Sequence, residues 1–256
     1  MPVELFNDGN HKCVAFYDLV DEKKDHAIQC NQFLIADAAH GALLDPGGNM
    51  TYNELLMGMQ RYVPSRGLDY ILASHADPDI LASLNKWMVA SHCKVIISKL
   101  WTRFVPHFTS GKDYTDRIIG IPDGGMRIKI GDSIISALPA HFLHAEGNFH
   151  FYDPVSKILF SGDLGASLVD HDAAAIPVQD FDAHIPTMIG FHQRYMVANK
   201  VCRLWANMAR QLDIEMIVPQ HGARFEGKAM VKRFIDWIET LQCGVDLMTQ
   251  DHYRAG

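Results

Sequence analysis

Residues 74–79 read Ser-His-Ala-Asp-Pro-Asp, so His75, Asp77 and Asp79 alternate directly after the apolar run Tyr70–Ala73. Helical spacing would scatter side chains at i, i+2 and i+4, whereas an extended or turning loop can bring them round one point. His144 follows the apolar run Ile134–Leu138, Asp163 follows Lys157-Ile-Leu-Phe-Ser-Gly, and His221 follows Glu215-Met-Ile-Val-Pro-Gln. Six metal-capable side chains thus sit just past the ends of four strand-like runs, where open α/β architectures place their chemistry.

Three imidazoles and three carboxylates exceed what one tetrahedral zinc needs. They suit two ions held roughly 3.5–4 Å apart, a span that one bridging carboxylate can match. Two divalent cations against three carboxylates and a bridging hydroxide make a neutral cluster, which avoids most of the cost of burying bare charge. Any one of these histidines alone would more often be an ordinary hydrogen-bonded residue, and Asp163 alone an ordinary turn aspartate. The recurrence at four strand ends is what points to a dinuclear site. Hard carboxylates mixed with imidazoles favour iron or manganese, while affinity order keeps zinc in contention.

The intervening pattern predicts the elements that position these residues. Gln32–Ala36 and Ala42–Leu44 read as a hairpin, and Asp45-Pro-Gly-Gly ends its second strand. Strands are predicted over Tyr70–Ser74, Val95–Ser98, Met126–Ile130, Ser133–Leu138, Asn148–Tyr152, Lys157–Ser161 and Glu215–Val218. Helical spacing of apolar residues predicts helices over Thr51–Val63, Ile80–Ser91, Phe191–Leu212 and Gly227–Gln242. Asp170–Pro186 is polar without a clear period and reads as a long loop near the candidate ligands, placed to cover a site. Strands and hairpins alternating with helices imply mixed sheets with helices outside, in one α/β domain over 1–256.

With 48% hydrophobic residues over 256 positions, the chain can bury a large core. A net charge of −7 without a basic stripe argues against nucleic acid as a partner. No stretch approaches the roughly 20 apolar residues that span a bilayer, and the N-terminus has no basic-then-apolar leader. The five cysteines are scattered without a Cys-x-x-Cys pair, which fits reduced thiols and a cytoplasmic setting better than a zinc ribbon or an iron–sulfur site. Methionines, phenylalanines, Tyr195, Trp205 and Cys202 read as packing residues.

Leu44-Asp-Pro-Gly, Ser74-His-Ala-Asp-Pro-Asp, Phe160-Ser-Gly-Asp and Val218-Pro-Gln-His-Gly resemble the metallo-β-lactamase superfamily over nearly the full length. Asn31-Gln-Phe-Leu-Ile, His75-Ala-Asp-Pro-Asp, Ala140-His-Phe-Leu-His and the segment Leu212–Gly222 resemble the di-iron domain of flavodiiron proteins and the stand-alone oxygen-binding di-iron proteins. The hydrolase branch typically has His-x-His-x-Asp-His, and here the second position is Asp77. The resemblance implies an αββα sandwich carrying two irons bridged by oxide or hydroxide. In it His75, Asp77 and His144 would hold one iron, Asp79 and His221 the other, and Asp163 would bridge. Asp77 stands where that family usually has glutamate, and Ile80 where most members have a further histidine. Water, or one of His141, His171, His184 and His192, would take the vacated position.

Flavodiiron proteins continue into a flavodoxin-like domain, whereas this sequence ends at Gly256 and has no rubredoxin-like Cys-x-x-Cys. The expectation is a domain that binds O2 as a sensor, signalling to a receptor or kinase, or that reduces O2 or NO slowly with an external flavoprotein donor. The competing expectation is a dinuclear zinc hydrolase of an ester, thioester or phosphodiester. Homodimerisation stays open at this stage.

Overall fold

The computed structural model describes residues 2–21, 25–110 and 114–255. Two mixed sheets lie face to face. The first has seven strands in sequence order, from β1 (Val3–Asn7), β2 (His11–Phe16), β3 (Gln32–Asp37) and β4 (His40–Leu44) to β5 (Leu68–Leu72), β6 (Lys94–Ser98) and β7 (Ile118–Ile121). The second has six, with β8 (Met126–Ile130), β9 (Ser133–Pro139), β10 (Phe149–Asp153), β11 (Ile158–Phe160), β12 (Met216–Val218) and β13 (Phe225–Glu226) in reverse order across the sheet. β4 to β7 run parallel, as do β11 and β12.

Alternation along the strands builds the layers. In β3, Phe33 and Ile35 face the second sheet and meet Phe149, Phe151 and Phe160 in the central core. Leu34 and Ala36 face outward into a second apolar cluster with Leu55, Ile80 and Trp87. A strand covered on both faces needs apolar residues throughout, which is why such runs read as continuous. Helices Tyr52–Met59, Pro78–Leu81 and Leu84–Ala90 cover the first sheet. Helices Phe181–Tyr195, Asn199–Ala209 and Lys228–Thr240 cover the second. The result is the αββα sandwich that the sequence resembles. No helix among the described residues is long and apolar enough to cross a membrane.

Three helical predictions are corrected. The helix over 191–212 is two helices, broken where Met196 (ψ 136°) and Ala198 (φ −169°) are extended. Bonds from outside hold the break: Val245 donates its N–H to the Val197 carbonyl at 2.9 Å, and the Asp246 carboxylate accepts from the Asn199 N–H at 2.6 Å. Most of the expected loop 170–186 is helical: His171–Ala174 form one turn, and a second helix starts at Phe181, where Asp180 caps the amides of Asp182 and Ala183, and runs on through Pro186. The helix over 80–91 begins at Pro78 and is interrupted at 82–83, where Ser83 Oγ turns to the Gly47 carbonyl at 2.6 Å.

At the end of the sandwich away from the β5 terminus, buried polar groups join the sheets. His11 of β2 bonds Asp153 of β10, Nε2 to Oδ2, at 2.7 Å. Asp37, ending β3, accepts from the amides of Asp132 and Ser133 in the β8–β9 turn. That turn needs Gly131, whose φ is +57° and where a Cβ would stand 2.8 Å from the Asp37 carbonyl oxygen.

Candidate metal centre

The parallel run of β5 leaves His75 at its C-terminal end, and Asp77 and Asp79 follow at the start of helix 78–81. β9 leads into the 140–148 loop that carries His144. β11 leads into the turn with Asp163, and β12 into the loop with His221. All four ends lie on the same edge of the sandwich, and the structure brings all six predicted residues to one place there.

Asp163 stands at the centre. Its Oδ2 lies 2.9 Å from His144 Nε2 and 3.7 Å from His75 Nε2, while its Oδ1 lies 3.6 Å from His221 Nε2. Asp77 Oδ2 is 3.5 Å from both His75 Nε2 and His144 Nε2. Asp79 Oδ2 is 3.3 Å from His221 Nε2. One carboxylate therefore turns its two oxygens towards two separate histidine–aspartate groups. Asp163 is buried, and its Oδ1 has no hydrogen-bond partner. The donor atoms of His75, Asp77, His144 and Asp163 all lie within 4.8 Å of one another. A buried carboxylate oxygen without a proton donor, faced by imidazole nitrogens, fits a site for cations.

Charge in the pocket is mutually dependent. Burial works against ionising Asp163, but the His75 charge and the His144 contact outweigh it and hold its carboxyl well below the usual range. Contacts with His144 and His75 do the same for Asp77. Burial works against charge on His221 too, yet Asp79 and Asp163 push it up to about 9, and on the same balance Asp163 and Asp77 push His144 to about 10. The carboxylates thus demand positive charge beside them, from protons or from cations that displace those protons.

Outer contacts fix the imidazoles. His221 Nδ1 donates to the Gln29 carbonyl at 2.7 Å, which leaves Nε2 free to act as a ligand. His75 Nδ1 meets Ser74 Oγ at 2.9 Å, and Asp45 accepts from the Ser74 amide at 2.8 Å. Burial pushes the Asp45 carboxyl up to about 6. The His221 loop is clamped by the segment just before β3: Asn31 Nδ2 donates to the carbonyls of Pro219 and Gly222, both at 2.9 Å, and Gln29 Oε1 accepts from the Gly222 amide. Gln220 Nε2 reaches Asp79 Oδ2 at 3.2 Å.

Sequence reasoning missed this clamp. Asn31 opens the run Asn31-Gln-Phe-Leu-Ile, but nothing local announces a partner 188 residues away.

The pocket above these groups has a volume of about 360 Å³. Its walls are mostly apolar: Val20, Ala27, Ile28, Met50, Leu168, Phe191 and Tyr195. Tyr195 stacks on Phe191 at 4.7 Å and lies 5.6 Å from the His144 ring. Cys30 also lines it, and burial together with the nearby Asp79 charge pushes its thiol to about 12, so it stays protonated.

None of the four substitute histidines reaches this pocket. His141 bonds the Asp123 carbonyl, His171 pairs with Asp172, His184 lies against Thr187, and His192 spans the Met188 carbonyl and the Gly165 amide. His192 instead braces the turn that carries Asp163. Ile80 is fully buried in the outer apolar cluster and is not part of the pocket wall.

With this geometry described, known proteins give it context. The family described as ODP family beta lactamase matches residues 28–222. A solved structure described as the peroxy di-iron species of chemotaxis sensor ODP is 37% identical, with a TM-score of 0.85, over 96% of this chain and 97% of that one. The apo state of chemotaxis sensor ODP from T. denticola gives 36% identity and a TM-score of 0.83 over the same shares. Rubredoxin oxygen:oxidoreductase from Desulfovibrio gigas, 16% identical, shares the fold, with a TM-score of 0.78 over 93% of this chain and 61% of that one. The chain spans about half the length, or less, of the curated relatives it matches.

Proposed function

Because this chain belongs to the ODP family of β-lactamase-fold proteins, we propose that it is a non-haem di-iron protein that binds O2 and reports it. The observation that carries this reading is Asp163, whose two oxygens face two separate histidine–aspartate groups. In this reading His75, Asp77 and His144 would hold one iron and Asp79 and His221 the other, with Asp163 shared between the two groups. A ferrous pair held there would supply the electrons for binding O2.

This chain's own residues supply the rest. Gln29 and Ser74 fix the His221 and His75 rings, so their bare nitrogens point to the centre without reorganisation. Phe191 and Tyr195 stack on each other beside His144 and give that side an apolar wall. The apolar walls suit a weakly polar diatomic better than a charged ester, which would lose its hydration against them.

Solved relatives described as a chemotaxis sensor favour reporting over turnover, with a signalling receptor or kinase as the partner. If the chain turns O2 over, an external flavoprotein donates the electrons. The test is metal analysis and an optical spectrum of protein purified from its native host. Two irons per chain, with a charge-transfer absorbance that appears when reduced protein meets O2, is the expected result. Two zincs, or iron-loaded protein with no response to O2, would transfer the reading to a metal-dependent hydrolase.

A further inference from the structure

Two of the five cysteines stand together, far from each other in sequence. Cys202 lies in helix 199–209 and Cys243 just beyond helix 228–240, and their sulfurs are 3.8 Å apart. Both are buried, and both are free thiols. The other three sulfurs face different chemistry. Cys13 donates to Asp153 at 3.3 Å, Cys30 accepts from Gln32 at 3.0 Å, and Cys93 lies against the Arg117 guanidinium at 3.9 Å. A disulfide needs about 2.05 Å between sulfurs, a gap that side-chain rotations of roughly 1 Å at each sulfur close.

We propose that Cys202 and Cys243 are a reversible redox pair, oxidised to an intramolecular disulfide by hydrogen peroxide, a molecule small enough to enter a buried site. Either sulfur can pass its proton to the other across that 3.8 Å contact. One sulfur takes one oxygen of the peroxide as the O–O bond breaks, giving a sulfenic acid and one water. The other sulfur then displaces the sulfenic hydroxyl, which leaves with the second thiol proton as another water while the S–S bond forms. Two thiols are oxidised and one peroxide is reduced to two waters.

The position gives the bond a structural effect. Segment 243–246 fixes the junction between helices 181–195 and 199–209. Val245 donates to Val197, and the Asp246 carboxylate accepts from the amides of Asn199 and Cys243. Tyr195, which flanks His144, is the last residue before that junction. A Cys202–Cys243 bond pins the C-terminal segment to the helix behind the pocket wall, whatever occupies the pocket.

The experiment is stepwise hydrogen peroxide treatment of the full-length protein as isolated, followed by thiol counting in denaturant and peptide mapping. A loss of two thiols, a linked Cys202–Cys243 peptide, and recovery with dithiothreitol are expected. The melting temperature of the oxidised form should rise by roughly 5–10 °C. Cys243→Ala should abolish the linked peptide without creating another. Because the wild-type peptide map decides by itself, an unstable variant leaves the test intact. An unchanged thiol count, a different linkage, or sulfinic acid at either residue without the linked peptide would overturn the proposal.

Discussion

A single carboxylate with no proton donor on one oxygen is the most telling group in this chain. Asp163 is buried, and its Oδ1 faces the His221 imidazole 3.6 Å away without a hydrogen-bond partner among the described residues. Asp163→Asn removes the charge that both histidine groups share and places an amide N–H among them. Affinity for both metals should fall by roughly tenfold or more, read by metal analysis after competition with a chelator. A variant that keeps two metals at full occupancy would show that Asp163 does not span them. At this scale the sequence was informative, because each of the six residues announces itself locally by following an apolar run. The supports were not legible. Gln29 acts through its backbone carbonyl, and His192 resembles any other helical histidine until its ring is seen on the Gly165 amide.

Pairs of elements are joined by a few buried polar contacts whose loss should be measurable. Asn31→Ala unties the segment just before β3 from the His221 loop and leaves the carbonyls of Pro219 and Gly222 without their donor. It should cost about 1–3 kcal/mol in urea unfolding and weaken metal binding roughly 10- to 100-fold. Wild-type metal affinity in that variant would confine Asn31 to packing. At the other end, burial works against charge on His11, but Asp153 outweighs it and raises the histidine above its ordinary 6.5. Burial likewise works against Asp153, and His11 with Ser156 lowers it below 3.8. The histidine's contribution is therefore complete below about pH 6.5 and is lost as pH rises through the raised value. The aspartate's is complete above about 3.8 and is lost as pH falls. Stability should decline on the alkaline side of about pH 6.5. His11→Ala should reduce that slope, to which His144 and His221 also contribute in the metal-free protein, and cost about 3–5 kcal/mol by stranding a buried carboxylate. An unchanged slope in the variant would assign the dependence to other groups. Elements were legible where a period was unbroken. The break at 196–198 escaped because Met196, Val197 and Ala198 continue an apolar pattern, while the contacts that break it come from residues 245 and 246. Helix 181–195 escaped because Pro186 reads as a stop, and tertiary packing overrides that propensity.

For the molecule as a whole, the cations are expected to act as part of the folded structure. Chelation should lower the melting temperature by roughly 5–10 °C at metal concentrations near 100-fold above the dissociation constant, and ferrous iron should restore it. Equal melting curves with and without metal would mean the pocket is held by its protein contacts alone. The αββα layering was readable because strands covered on both faces must be apolar throughout. The first two strands, β1 and β2, were not, since β2 opens on His11 and Lys12, and the partner of His11 lies in the opposite sheet.

The clamp that joins Asn31 to Pro219 and Gly222 spans 188 and 191 positions of chain. Contacts so distant in sequence close slowly and late, because the loop entropy must be overcome before they form. During synthesis, at roughly 5–20 residues per second, the first sheet is complete well before His221 has been added. A growing chain can gather His75, Asp77 and Asp79, yet it cannot present the second half of the site until the closing loop arrives. A metal pair that needs both halves can then enter only a nearly finished protein, after the closing loop has folded back onto Asn31.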